Sequence, residues 1–294
     1  MVFCYIPKIS CSQWKTLFIT LTGKVNASLL NFGNVHTRYR SKMTYLGEYS
    51  IEKRHSILQK YKKYIVVRNP FERLLSAFRN KFANKVNYYE PIAKKIIKQY
   101  RSNATKESDD VTFFEFVQYI TDGKTRYYDP HWNRYTTLCR PCFVKYDFVG
   151  KYETIARDAE FILRDFGAPP EIKFPKRSEK YQSVETIKTF NKYYSQIPAE
   201  YIAKLWNIYR LDFEAFGYSV SDNLNTTNMT NFSCWNVFTH TRCLVTSFEK
   251  SRRASTRKRP GWSNSGEEEE DALCLSLKPN AEEPLLQPFL RPKS

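Results

Sequence analysis

At 294 residues, 41% apolar and 16% aromatic, the chain can bury a sizeable core in one large or two small domains, and its 9 glycines against 21 tyrosines and 21 phenylalanines exclude a collagen-like or glycine-rich protein. The net charge of +17 is concentrated: residues 1–100 hold 19 Lys and Arg against 4 Asp and Glu, while residues 101–220 and 221–294 each carry a surplus of one. A field confined to one third of the chain either solvates a basic surface or draws a polyanion there: nucleotide, nucleic acid, acidic glycan or anionic lipid.

Residues 2–6 (VFCYI) read as a buried strand and Gln13–Leu21 as a helix. Residues 24–60 are mixed and polar, with a helix expected over Ser50–Tyr61. Tyr64–Val67 is a second apolar run, suited to a strand covered on both faces. Pro70 fits the first turn of a helix, where its missing N–H costs nothing, and Leu74, Leu75, Phe78 and Phe82 continue at helical spacing. Strand–loop–helix thus occurs twice, which predicts an α/β fold with a central, mostly parallel sheet flanked by helices. Helices are expected over Glu90–Arg101, Thr112–Ile120, Tyr152–Phe166, Thr186–Tyr194 and Pro198–Phe216, and a strand over Tyr146–Val149; Gly167, Pro169 and Pro170 stop the helix before them. Beyond Ser219 the sequence turns polar, then basic, acidic and proline-rich, so residues 1–220 are expected to form the folded domain and 221–294 a largely disordered tail. No signal peptide is visible, and no apolar stretch is long enough to span a bilayer.

Seven cysteines are an odd number, so at least one is unpaired or joined to another chain. Cys139-x-x-Cys142 is half a zinc site without a second half, and no metal is expected. A disulfide fits better, either within the pair or from one member to a distant cysteine. Cys4 and Cys11 read as a buried thiol and a loop residue. Five N-x-S/T triplets, at Asn26, Asn103, Asn225, Asn228 and Asn231, lean towards a secretory lumen.

Two loops carry the chemistry. The first, Pro7, Lys8, Ile9, Ser10, Cys11, Ser12, Gln13 and Lys15, joins a buried strand to a helix start, where backbone N–H groups and the helix dipole favour an anion. It contains no glycine, which disfavours a nucleoside-triphosphatase loop. The second runs Arg68, Asn69, Pro70, Phe71, Glu72, Arg73, Leu74, Leu75, Ser76; Arg68 at the strand end and Ser76 two turns into the helix can converge on one anion, with the arginine fork matching phosphate oxygens. Two such loops on one sheet suggest a ligand with an anionic group at each end. Among groups that can move a proton near neutrality, His131, in "YYDPHWNRY", stands out because Asp129 is close in sequence. Glu72 and Glu153 are its rivals; His36, His55 and His240 have no supporting context.

"PKISCSQWK" resembles the 5′-phosphosulfate loop of the Golgi carbohydrate sulfotransferases, and "VRNPFERLLSAFRNKF" resembles their 3′-phosphate loop. The run "HW…LCRPC…YDFVGKYET…DA", His131 to Ala159, is similar to the chondroitin/dermatan 4-O group. The resemblance covers roughly residues 2–219 and implies a P-loop-like sulfotransferase fold. It implies 3′-phosphoadenosine 5′-phosphosulfate (PAPS) as donor, held by the two loops, with no metal. Lys8 would stabilise the leaving phosphate oxygen, His131 would act as base, and Trp132 would be available to stack on a sugar ring. The implied acceptor is an anionic glycan (chondroitin, dermatan or a GalNAc-terminated chain) rather than nucleic acid, in the Golgi lumen. Family loops carry a small residue followed by Gly or Ala where Ile9-Ser10 stands, and an acid where Asn69 stands. The rival readings are a nucleic-acid-binding protein, which would interleave basic residues with exposed aromatics, and a catalytically silent fragment. The second arises because the family's membrane anchor and stem have no counterpart in this chain, so membrane association is expected only through such an anchor.

Overall fold

The computed structural model describes residues 1–31, 33–105, 108–123, 129–175, 183–220 and 275–276. Three strands, β1 (Val2–Cys4), β3 (Lys63–Val67) and β4 (Phe148–Lys151), run parallel, and β3 lies between the other two. Two-residue strands extend the sheet: β5 (Leu275–Ser276) pairs antiparallel with β1 and with β2 (Thr44–Tyr45), giving the order β2-β5-β1-β3-β4. Of the region expected to be disordered, 221–294, only β5 is described; the rest of that expectation lies outside the described residues.

The apolar runs become strands because both faces are covered: every residue of β1 and β3 is buried. Strand β1 is shorter than expected because the chain leaves the sheet for a left-handed turn at Lys8 (φ 71°). Strand β4 starts two residues late because Asp147 is spent on the β3 entrance: its N–H donates to the Lys63 carbonyl and its carboxylate accepts the Lys63 N–H. The helices are α1 (Cys11–Leu21), α2 (Ile51–Lys60), α3 (Pro70–Phe78), α4 (Glu90–Tyr100), α5 (Phe113–Thr121), α6 (Tyr135–Leu138), α7 (Ile155–Asp165), α8 (Ser183–Tyr194) and α9 (Ala199–Phe216). Their ends follow local chemistry: a capping box joins Thr112 and Glu115 at the start of α5, and Gly217 closes α9 at φ 61°, a region costly for residues with a Cβ.

Two hydrophobic clusters result. One surrounds the sheet and includes α1, α2 and α7; the other is formed by α3, α4, α5, α8 and α9. Helix α3 follows directly from β3 yet buries Phe71, Leu74, Leu75 and Phe78 in the helical cluster. The carboxyl ends of β1 and β3 therefore open onto the seam between the two cores. The expectation that Cys4 is a thiol is corrected here: Cys4 is bonded to Cys139, with Cα atoms 5.9 Å apart across a sequence separation of 135 residues. Cys142 also lies in a disulfide, so the Cys139-x-x-Cys142 pair is not closed on itself.

Candidate active site

Because β1 and β3 are neighbours in parallel register, with Cys4 opposite Ile65, the loops that follow them leave the same edge of the sheet. In the first loop Lys8 and Ser10 both take left-handed backbone (φ 71° and 52°), flanking the buried Ile9. Alternating backbone hand turns successive N–H groups towards a common centre, the geometry of an anion nest. Ser10 is the cap residue of α1 but its hydroxyl makes no cap bond, and α1 has no acid in its first turn to compete with an incoming anion. Lys8 Nζ donates to Asn80 Oδ1 at 2.8 Å. Burial pushes the Lys8 ammonium down to about 8, with Lys81, Arg68 and Arg73 adding repulsion and Cys11 opposing it. Gln13 is turned to the Pro175 carbonyl (3.0 Å).

Asn80 reaches Lys8 because the helix does not continue regularly to Phe82 as its spacing suggests. Residues Arg79–Ala83 form a π-helical turn after α3, a feature that recurs at functional sites.

In the second loop Asn69 Oδ1 accepts the N–H groups of Phe71 and Glu72 and so caps α3, with Pro70 in its first turn. The Asn69 N–H donates to Glu153 Oε1, and Glu153 Oε2 accepts from Tyr218. Arg68 is buried; its Nε donates to Glu72 Oε2 at 3.1 Å and its guanidinium lies 4.4 Å from the Tyr152 ring centroid. Its two terminal nitrogens make no hydrogen bond among the described residues, so the outer face of the fork remains available to an anion. Ser76 is half-buried on α3. Phe71, Leu74 and Leu75 hold the helix by packing rather than by facing the loop; Phe71 stacks on Tyr194 at 5.5 Å.

Arg73 is 2% exposed and spends its guanidinium on three backbone carbonyls: Nε to Pro7 (3.0 Å), Nη1 to Asn133 (2.7 Å) and Nη2 to Pro130 (2.6 Å). It ties the first loop to the segment carrying His131. There, Asp129 Oδ1 lies 2.6 Å from His131 Nδ1, and Tyr89 Oη donates to Asp129 Oδ2 at 2.8 Å. Burial alone would raise the Asp129 carboxyl, but the hydrogen bond and charge of His131 hold it below the ordinary range. The ionised carboxylate fixes the Nδ1–H tautomer of His131 and leaves Nε2 with a free lone pair. Burial, with Lys81 and Lys8 nearby, lowers His131 despite Asp129. A neutral imidazole beside two lysines can accept a proton. The rivals Glu72 and Glu153 are committed to Arg68 and to Asn69 with Tyr218.

Two expectations fail. Trp132 is 2% exposed and packs against Phe82 and Phe116 in the helical core, so it offers no ring to a sugar. His36, which has no local context in sequence, stands against the first loop: Nε2 is 2.7 Å from Ser12 Oγ and Nδ1 is 3.1 Å from Lys15 Nζ. Its partners lie 24 and 21 residues away, and no motif spans that gap. Among the described residues no cluster could hold a metal ion.

Residues 1–219 match the model of the sulfotransferase family. Carbohydrate sulfotransferase 11 of Rattus norvegicus is 37% identical over 234 residues, which is 76% of this chain and 66% of that protein. Carbohydrate sulfotransferase 14 of Danio rerio is 36% identical over 222 residues, covering 74% of this chain and 59% of its own length. For carbohydrate sulfotransferase 9 of Homo sapiens the figures are 35% over 227 residues, 74% and 51%. The chain thus spans between half and two thirds of these curated relatives. No solved structure matches.

Proposed function

This chain belongs to the sulfotransferase family, and from that premise we propose that it transfers a sulfuryl group from PAPS to a carbohydrate hydroxyl, the 4-position of GalNAc in chondroitin or dermatan being the acceptor we favour. The observation that carries this reading is the shared rim: a left-handed N–H nest, an arginine fork with an open face and a histidine with a bare Nε2 border one seam, bound together by Arg73. PAPS supplies the activated sulfuryl group and an anion on each side of its ribose. Those groups fit this chain: backbone N–H groups at Lys8–Gln13 with Ser10 and Ser12 for the 5′ end, Arg68 and Ser76 for the 3′-phosphate.

Lys8 sets a positive charge at the leaving phosphate oxygen, where negative charge develops during in-line transfer. His131 Nε2 takes the proton of the attacking hydroxyl, and Asp129 balances the imidazolium that forms. Arg73, Asn80 and Tyr89 hold these groups in register, which is the main protein contribution to transfers of this kind. The basic surplus of residues 1–100 draws an anionic glycan to the site. Most described aromatics of that third, such as Phe3, Trp14, Phe18 and Phe78, are buried, with Tyr88 exposed, which favours a core role over a continuous stacking surface for nucleic acid. The Cys4–Cys139 disulfide suits an oxidising lumen, in keeping with a Golgi location.

The test is transfer of radiolabelled sulfate from PAPS to a panel of chondroitin, dermatan and GalNAc-terminated glycans. Label should enter a GalNAc-containing acceptor and fall at least tenfold in Lys8→Ala and Arg68→Ala, as expected when a charged contact to the donor is removed. Full transfer by both variants would refute the assignment of these two residues.

A further inference from the structure

The imidazole of His36 is outside every motif in the sequence, yet it touches two side chains of the donor loop and its adjoining helix. It sits on a turn held by Asn31 and Asn34, whose side chains bond the backbone at residues 29, 31, 33 and 34, and anchored by the buried Val35. Lys15 is 0% exposed; its Nζ lies 4.5 Å from the Tyr5 ring centroid and 3.1 Å from His36 Nδ1. An ammonium only donates, so Nδ1 must accept. A neutral ring accepting at Nδ1 carries its proton on Nε2, and Nε2 is 2.7 Å from Ser12 Oγ. Ser12 therefore receives a hydrogen bond on its oxygen and keeps its own O–H to give away. It stands in the first turn of α1, beside the left-handed turn at Ser10.

We propose that His36 is a positioning residue for the donor: the relay Lys15 → His36 → Ser12 sets the Ser12 hydroxyl as a hydrogen-bond donor to the 5′-phosphosulfate of PAPS. A serine hydroxyl left to itself can turn to any nearby acceptor; the relay removes that freedom before the ligand arrives. The same imidazole faces Cys11. Burial would raise that thiol; only a protonated His36, through its hydrogen bond and charge and together with Lys15, would hold it below the ordinary thiol range. The competing state is an imidazolium–thiolate pair with Cys11, in which Nδ1 cannot accept from Lys15. The relay rests on the donor reading given above, and its two tests are chosen so that the readings fail separately.

The first test reads the ring directly. In protein labelled with 15N-histidine, which has only 4 histidines, two-bond proton–nitrogen correlation should give His36 the Nε2–H signature, assigned through its loss in His36→Gln. The second measures PAPS binding. His36→Ala should weaken it about tenfold, the loss expected when a hydrogen bond to a charged oxygen goes. His36→Gln, whose amide can still donate to Ser12, should recover most of that loss, and Ser12→Ala/His36→Ala should bind no more weakly than Ser12→Ala alone. An Nδ1–H tautomer or a doubly protonated ring overturns the relay whatever the binding data say. So do losses that add in the double variant. A wild-type chain that shows the Nε2–H signature but binds no PAPS overturns the donor reading, and with it the purpose assigned to the relay.

Discussion

At the scale of single residues, two ionisable groups set the expected pH dependence. His131 must be neutral to act as base, and burial lowers it, so the acid limb should lie below the ordinary histidine value of about 6.5. Lys8 must be charged, and it sits at about 8, so activity should fall as pH rises through that value. The prediction is a bell in kcat/KM, with the acid limb abolished and the rate reduced roughly 10²–10⁴-fold in His131→Asn; an unchanged acid limb in that variant would assign the base elsewhere. Ser10 offers a second test. It holds φ 52° with no side-chain cap bond. Ser10→Gly should therefore stabilise the fold by about 0.5–1 kcal/mol in urea denaturation, the left-handed cost less glycine's extra chain entropy.

At the scale of elements, the strands and long helices were legible because their signal is local. Apolar runs marked β1 and β3, Pro70 marked the start of α3, and Gly167 marked the end of α7. What stayed hidden depends on partners far along the chain. The four-residue helix α6 has its first N–H groups, at Tyr135 and Thr136, satisfied by Asp212, a residue 76 and 77 positions later. Cys4 looks like any buried apolar residue until Cys139 reaches it. The π turn at Arg79–Ala83 keeps the apolar spacing of a helix while turning Asn80 to Lys8. Residue types alone led to the expectation of anion sites in the two loops, but they held no hint that Arg73, a neighbour of Arg68 in the same motif, is bonded to backbone carbonyls. Replacing Arg73 leaves three carbonyls without their donor in a buried place, each worth about 1 kcal/mol or more. Arg73→Met should cost roughly 3 kcal/mol of stability and also reduce kcat, because both loops lose their common tie. Arg73→Lys, a single point donor, should not restore either; full recovery by lysine in melting and turnover would contradict the three-way role.

At the scale of the whole molecule, the sheet core and the helical core meet at the seam where the candidate site lies, and long-range ties hold that meeting fixed. The Cys4–Cys139 bridge closes about 135 residues, so Cys139→Ser should lower the free energy of unfolding by roughly 3–5 kcal/mol. If the basic field of residues 1–100 steers an anionic glycan, the acceptor KM should rise with ionic strength while kcat stays nearly constant; a KM indifferent to salt would leave that charge without a role in acceptor capture. The central claim is that the ends of two adjacent parallel strands grip opposite ends of one nucleotide. The most direct measurement is a crystal structure with adenosine 3′,5′-bisphosphate. The account predicts the 5′-phosphate on the N–H groups of Lys8–Gln13 and the 3′-phosphate on Arg68 and Ser76, while a nucleotide bound away from the seam, or touching only one of the two loops, would contradict it.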